Sequence, residues 1–114
     1  MQTGMFDSAV RTAGDMAGVF EYEDGTGYFY LYALTGGKGK RVLDSIHVIS
    51  GEPDFDESDI TTAWDAAGQR VGLFIRGVLW AAFEVAHHRK GGGMYAPGAI
   101  PAMPTDLSFP LPVH

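Results

Sequence analysis

Cysteine is absent, which excludes disulfides, thiolate nucleophiles and cysteine-based zinc sites together and leaves the compartment unspecified by redox chemistry. Basic residues are scarce, 8 Lys and Arg against 14 Asp and Glu, for a formal net charge of −6. Such a chain repels a phosphate backbone at long range. Its two basic spots, Lys38, Lys40 and Arg41, then Arg89 and Lys90, read as turn and strand-end charges. No nucleic-acid partner is expected. The stretch Met1 to Asp7 has neither the cationic start nor the continuous apolar run of a secretory signal. No segment reaches the roughly 18 apolar residues that span a bilayer. No membrane partner is expected, and the chain reads as cytoplasmic.

What is present suits one β domain. The length of 114 residues leaves no room for a second full core, and 46% hydrophobic with 19% charged residues is an ordinary globular composition. The 16 glycines cluster between apolar runs, as expected where short strands are joined by turns that need positive φ. The fold class expected is all-β and mainly antiparallel: about six strands in a meander sheet, a small sandwich or a half-barrel.

Phe6, Val10 and Ala13, spaced by four and three with Asp7 or Ser8 as N-cap, fit a short N-terminal helix or a loose arm equally well. Alternation then marks strands at 18–23, 28–34, 42–49, 60–64, 71–75 and 78–85. The punctuation between them is Asp24-Gly25-Thr26-Gly27, the Gly-rich tip 35–40, the acidic loop 51–59, Asp65-Ala66-Ala67-Gly68 and Arg76-Gly77. The strand from Tyr28 is apolar on both sides and therefore expected to be central. After Gly91-Gly92-Gly93 the prolines at 97, 101, 104, 110 and 112 disfavour a helix and predict an extended tail. Residues 1–93 thus form the domain. Residues 94–114 form a tail whose Met94, Tyr95, Ile100, Met103, Leu107, Phe109 and Leu111 need cover, from the tail's own sheet or, in a homodimer, from a partner's.

At Glu23-Asp24-Gly25-Thr26-Gly27-Tyr28-Phe29-Tyr30, Val42-Leu43-Asp44-Ser45-Ile46-His47 and Trp64-Asp65-Ala66-Ala67-Gly68, the chain resembles a family of small bacterial proteins known only as a domain of unknown function. The resemblance covers about residues 18–85 and implies no activity, cofactor or partner. The Gly-rich tip at 36–39 and the Pro-rich tail are expected to lie outside it. Residues 60–85 also resemble one blade of a β-propeller, but a propeller needs at least four blades. That likeness implies a three-stranded meander only.

Four groups of residues invite a chemical reading. Asp44 and His47 are an acid–base couple by type, yet residues three apart on a strand point to opposite faces unless a bulge intervenes. The loop with Glu52, Asp54, Asp56, Glu57 and Asp59 lacks EF-hand spacing and reads as a solvated loop or a landing site for a basic protein. His87 and His88 are adjacent, so on a strand their rings diverge and cannot share a metal; the glycines before Lys38 and Lys40 do not fit a phosphate loop. No metal or cofactor is expected. Tyr28, Tyr30 and Tyr32, with Tyr22 on a neighbouring strand, form either a packed core face or, if that face is open, a contact surface.

The leading expectation is a non-catalytic protein-binding module using the Tyr face, the acidic loop or both, with an immunity or toxin-neutralising role by analogy of size and charge. The alternative is a small enzyme or small-molecule-binding protein with a pocket of Asp44, His47 and Tyr hydroxyls.

Overall fold

The computed structural model describes residues 4–35 and 41–111. The Gly-rich tip 36–40 and the last three residues of the tail lie outside the described residues. Eight strands follow in order: β1 Met5–Val10, β2 Met16–Glu23, β3 Thr26–Ala33, β4 Arg41–Ser50, β5 Ile60–Trp64, β6 Arg70–Ile75, β7 Val78–Glu84 and β8 Arg89–Gly92. They form two four-stranded antiparallel meanders, β1-β2-β3-β4 and β5-β6-β7-β8. Among the described residues no helix is long and apolar enough to cross a membrane.

Of the expected arrangements, meander sheet, small sandwich or half-barrel, the single six-stranded meander is therefore corrected. Pro53 and a one-turn 3₁₀ helix at Glu57–Asp59 interrupt the chain between β4 and β5, so pairing restarts in a second sheet. Each sheet also gains an outer strand. The expected N-terminal helix is β1, paired with β2 from Met5↔Tyr22 to Val10↔Ala17. Phe6 and Val10 are four apart, an even spacing that shares a strand face as well as a helix face. Ala13 falls in the turn that follows, and Asp7 caps no helix. At the other end His87 and His88 stand in the turn between β7 and β8, with His88 at φ 53, and Arg89–Gly92 folds back on β7.

The sheets pack face to face. Phe20, Phe29, Leu31, Ile46 and Val48 from one meet Val71, Leu73, Ile75, Ala81 and Phe83 from the other, with the rings of Phe29 and Phe83 stacked at 5.3 Å. Two-residue turns with both residues at positive φ, Asp24-Gly25 and Arg76-Gly77, set the register of β2–β3 and β6–β7.

Different devices close the two sides of the sandwich. Where β1 meets β5, Thr62 donates its N–H and its hydroxyl to Asp7 Oδ2, each at 2.8 Å, and the Trp64 indole N–H donates to Ala9 O at 2.9 Å. The N–H of Phe6 on the free edge of β1 donates to Glu57 Oε2 at 2.8 Å. Carboxylates thus occupy edge donors that could otherwise template a further strand. On the opposite side residues 93–95 cross from β7 to β4, through Gly93 N–H to Trp80 O, Met94 N–H to His47 O and Tyr95 N–H to Val48 O at 2.8, 3.1 and 2.6 Å. Gly92 and Gly93 stand at φ 89 and 116, and a Cβ on Gly92 would overlap the Trp80 carbonyl, so the crossing demands glycine.

The segment after β8 returns over the outer face of the second sheet. It is not extended throughout, because Pro104, at φ −58, leads into a 3₁₀ turn at Thr105–Leu107, where proline's fixed φ is compatible with a helical start. Leu107 and Phe109 are buried, and the Phe109 ring meets Phe74 edge-on at 5.5 Å. Arg70 donates to Ser108 O at 2.9 Å, and Arg89 pairs with Asp106. Met94 and Ile100 remain exposed.

Candidate functional site

Among the described residues no such segment covers the outer face of the first sheet. Because Phe29 and Leu31 of β3 point into the core, alternation sends Tyr28, Tyr30 and Tyr32 outward, where they are half-buried. Tyr28 stacks on Tyr30 at 5.8 Å and on His47 at 4.9 Å, and Tyr30 meets Tyr32 edge-on at 5.9 Å. Register extends this column into three cross-strand rows: Phe6–Glu21–Tyr28–His47, Ser8–Val19–Tyr30–Ser45 and Val10–Ala17–Tyr32–Val42. Phe6 is 51% and Val10 57% exposed, large values for apolar side chains on a strand. Between β1 and β3 lies a groove of about 290 Å³ lined by Phe6, Val10, Ala17, Val19, Glu21 and Tyr32 among others.

Two irregularities in β4 shape the face. The register slips between Gly27 and Tyr28 and again between Leu31 and Tyr32. The first slip lets Val48 and Ile49 both enter the core while His47 stays outside, with its Nε2 3.1 Å from Ile49 O and 3.2 Å from Ser50 Oγ. Burial, and after it the nearby Glu21 carboxylate, raise the pKa of the Tyr30 phenol, which stays a neutral hydroxyl near pH 7.

The other candidate residues lie elsewhere. Tyr22 does not join the Tyr row: it is buried on the core side and its hydroxyl donates to Gly51 O at 3.0 Å. Asp44 pairs in register with core-facing Leu31 and accepts from Lys90 Nζ at 2.8 Å, so it joins β4 to β8 across the gap between the sheets. Burial pushes its carboxyl up, but hydrogen bonds from Lys90 and the Ser45 N–H outweigh this and hold it low. His47 is on the opposite face, so the two are not brought together.

In the acidic loop, Glu57 accepts from Phe6 N–H, Asp59 from Asp56 N–H and Asp54 from the Tyr95 hydroxyl, while Arg76 lies 3.6 Å from Asp54 and 3.7 Å from Asp59. The loop's charge is largely engaged in holding the fold. Among the described residues no three His, Asp or Glu converge as metal ligands. His87 lies beside Glu84. Phe6, Val10 and Glu21 belong to the open face, and the sequence marks them only through strand register.

The model of a family described as uncharacterized protein conserved in bacteria, DUF2251, matches residues 2–103. The chain belongs to that family. No curated protein and no solved structure matches it. The match corrects the narrower limits expected from the sequence, because it includes β1, the Gly-rich tip and the first part of the Pro-rich segment. Those parts therefore need not be peculiar to this chain.

Proposed function

We propose that this protein is a non-catalytic binding module that docks a basic protein surface on the outer face of its first sheet. One observation carries the reading: the C-terminal segment covers the outer face of one sheet, while the other leaves Phe6, Val10 and the Tyr28–Tyr30–Tyr32 column open around Glu21. Tyr-rich surface is favoured at protein interfaces because each ring offers large area at small entropic cost and keeps a polar tip. Charge selects the occupant. The three rows contain the Glu21 carboxylate and neither lysine nor arginine, and the whole chain carries −6. A second copy would set like charge against like, whereas a basic protein would be steered in.

The acidic loop is the weaker docking candidate because its carboxylates already hold Arg76, Tyr95 and the edge of β1. Burial of Leu107 and Phe109 on their own sheet supports a monomer over exchange of the C-terminal segment between subunits. Neutralisation of a basic toxin is the physiological form this reading takes, by analogy of size and charge.

The test is photo-crosslinking in cell lysate from a benzoylphenylalanine at position 8, inside the groove, against one at position 78, the exposed first residue of β7. A specific adduct is expected from position 8, lost with Val10→Arg and in about 1 M salt, where the Debye length falls to about 3 Å. Equal adducts from both positions, or an adduct indifferent to Val10→Arg, refutes the docking face.

A further inference from the structure

We propose that the Glu21 end of the groove anchors one arginine side chain of the docking partner, held by the Glu21 carboxylate and the rings of Phe6 and Tyr28. This rests on the docking reading and adds the residue type recognised. The chain itself seats guanidinium groups in this combination twice. Arg11 lies 5.6 Å from the Trp64 ring centroid and donates to both carboxylate oxygens of Asp15, at 2.9 and 2.6 Å. Arg70 lies 5.6 Å from the Phe109 ring centroid and donates to Asp65 Oδ2 at 2.9 Å. A planar, weakly hydrated guanidinium stacks on a ring while its N–H fork meets a carboxylate, a combination the compact and strongly hydrated lysine ammonium satisfies less well.

The row Phe6–Glu21–Tyr28 supplies the same parts. Register puts Glu21 directly between the two aromatic residues, with neighbouring Cβ atoms about 5 Å apart. Glu21 is exposed, and among the described residues it pairs with no cation. The groove leading to it is apolar along Val10, Ala17, Val19 and Tyr32, so the methylene stem of an arginine lies on alkyl and aromatic surface while its head reaches the carboxylate. A groove of about 290 Å³ admits side chains, whereas a helix with its side chains is about 10–12 Å across.

The probes are three blocked tripeptides, Gly-Arg-Gly and its lysine and norleucine counterparts, titrated into the full chain and followed by amide NMR shifts. The arginine peptide is expected to shift Phe6, Glu21 and Tyr28 saturably and more tightly than the other two. Glu21→Gln, at an exposed position with no ion pair among the described residues, should weaken it about threefold, and Phe6→Leu by a similar factor. If all three peptides shift Val10, Ala17 and Tyr32 equally and Glu21→Gln changes nothing, the arginine site is wrong while the docking face stands. Equal, Glu21-dependent binding of the lysine peptide overturns the preference for arginine. If the arginine peptide leaves this face unshifted, or shifts only residues 52–59, the arginine site fails; crosslinking from position 8 then decides separately whether the face docks a protein.

Discussion

Replacing Asp7 with alanine removes a single carboxylate oxygen that accepts two hydrogen bonds from Thr62, both at 2.8 Å. Thr62 is 8% exposed, so its N–H and hydroxyl lose their partner in a place water reaches poorly. A buried donor left unsatisfied costs about 1–3 kcal/mol. The hydroxyl can rotate toward another acceptor and the half-buried site of Asp7 admits some water, so the pair together should cost about 3 kcal/mol rather than the upper sum. Against a total stability of about 5–15 kcal/mol this is a large fraction. For a domain of this size it corresponds to a fall in Tm of roughly 15 °C. Urea titration should show a lower midpoint with an unchanged slope, since the surface exposed on unfolding stays the same. Asp7→Asn keeps one acceptor oxygen without its charge and should lose about 1–2 kcal/mol. Thr62→Val in the Asp7→Ala background should be less harmful than in the wild type, because the hydroxyl it deletes is already unpartnered. Glu23→Ala, at an exposed end of β2, is the control and should stay within about 0.5 kcal/mol. If Asp7→Ala matches that control, the carboxylate does not hold β5 to β1 and the account of this seam fails.

Burial raises the Asp65 carboxyl, but hydrogen bonds from Arg70 and the Gln69 N–H outweigh it and hold its pKa below the usual value. Its stabilisation is therefore complete above the unfolded pKa of about 4 and lost as pH falls through the folded one, so Asp65→Asn should flatten the acid limb of a stability–pH profile; an unchanged limb refutes this. Gly92→Ala should cost several kcal/mol or prevent folding, because a Cβ overlaps the Trp80 carbonyl, while Gly25→Ala, at φ 81 with nothing within 4 Å, should cost about 1 kcal/mol. Similar melting temperatures for the two variants would contradict the close crossing at residues 92–93. Phe109→Ala should cost about 3 kcal/mol in denaturant titration and Ile100→Ala, at 89% exposure, close to none; equal effects would show that the C-terminal segment does not cover the sheet.

Strands β2 to β7 were legible because alternation and turn chemistry agree at them, Asp24-Gly25 and Arg76-Gly77 most clearly. Strands β1 and β8 were not. Phe6 and Val10 fit both periods, and Arg89-Lys90-Gly91-Gly92 has no apolar alternation, so β8 exists through its ladder to β7 rather than through propensity. The three glycines look like a composition boundary in the sequence, yet they are where the chain crosses between sheets. Tyr22 could have been separated from the Tyr row by counting. With Glu21 opposite Tyr28, odd residues of β2 share a face with even residues of β3, and Tyr22 falls on the other side. Whether the Tyr row was core or surface could not be counted, since Phe29 and Leu31 make the second face of β3 equally apolar.

What separates the two faces is where their polar groups find partners: on the inner face Asp7, Tyr22 and Asp44 are already held by Thr62, the Gly51 carbonyl and Lys90. Phe20, Phe29, Ile46 and Val48 offer the core no group that needs water, and they stack on a sheet of the same character. The outer rows instead contain Glu21 and His47, then Ser8 and Ser45, then the Tyr32 hydroxyl. Burying that face under a wholly apolar layer would strand these groups at a few kcal/mol each, so its cover must supply hydrogen-bonding partners and a positive charge. The C-terminal segment brings Leu107 and Phe109 to the second sheet, where Phe74 and Ala82 ask for nothing polar. It would be a poor cover for the first. The same polar atoms let the open face meet water without becoming a continuous apolar patch, while the carboxylate of Glu57 blocks part of the adjoining edge of β1. On the docking reading proposed above, a face that tolerates water in this way is one that a partner able to satisfy Glu21 would cover reversibly.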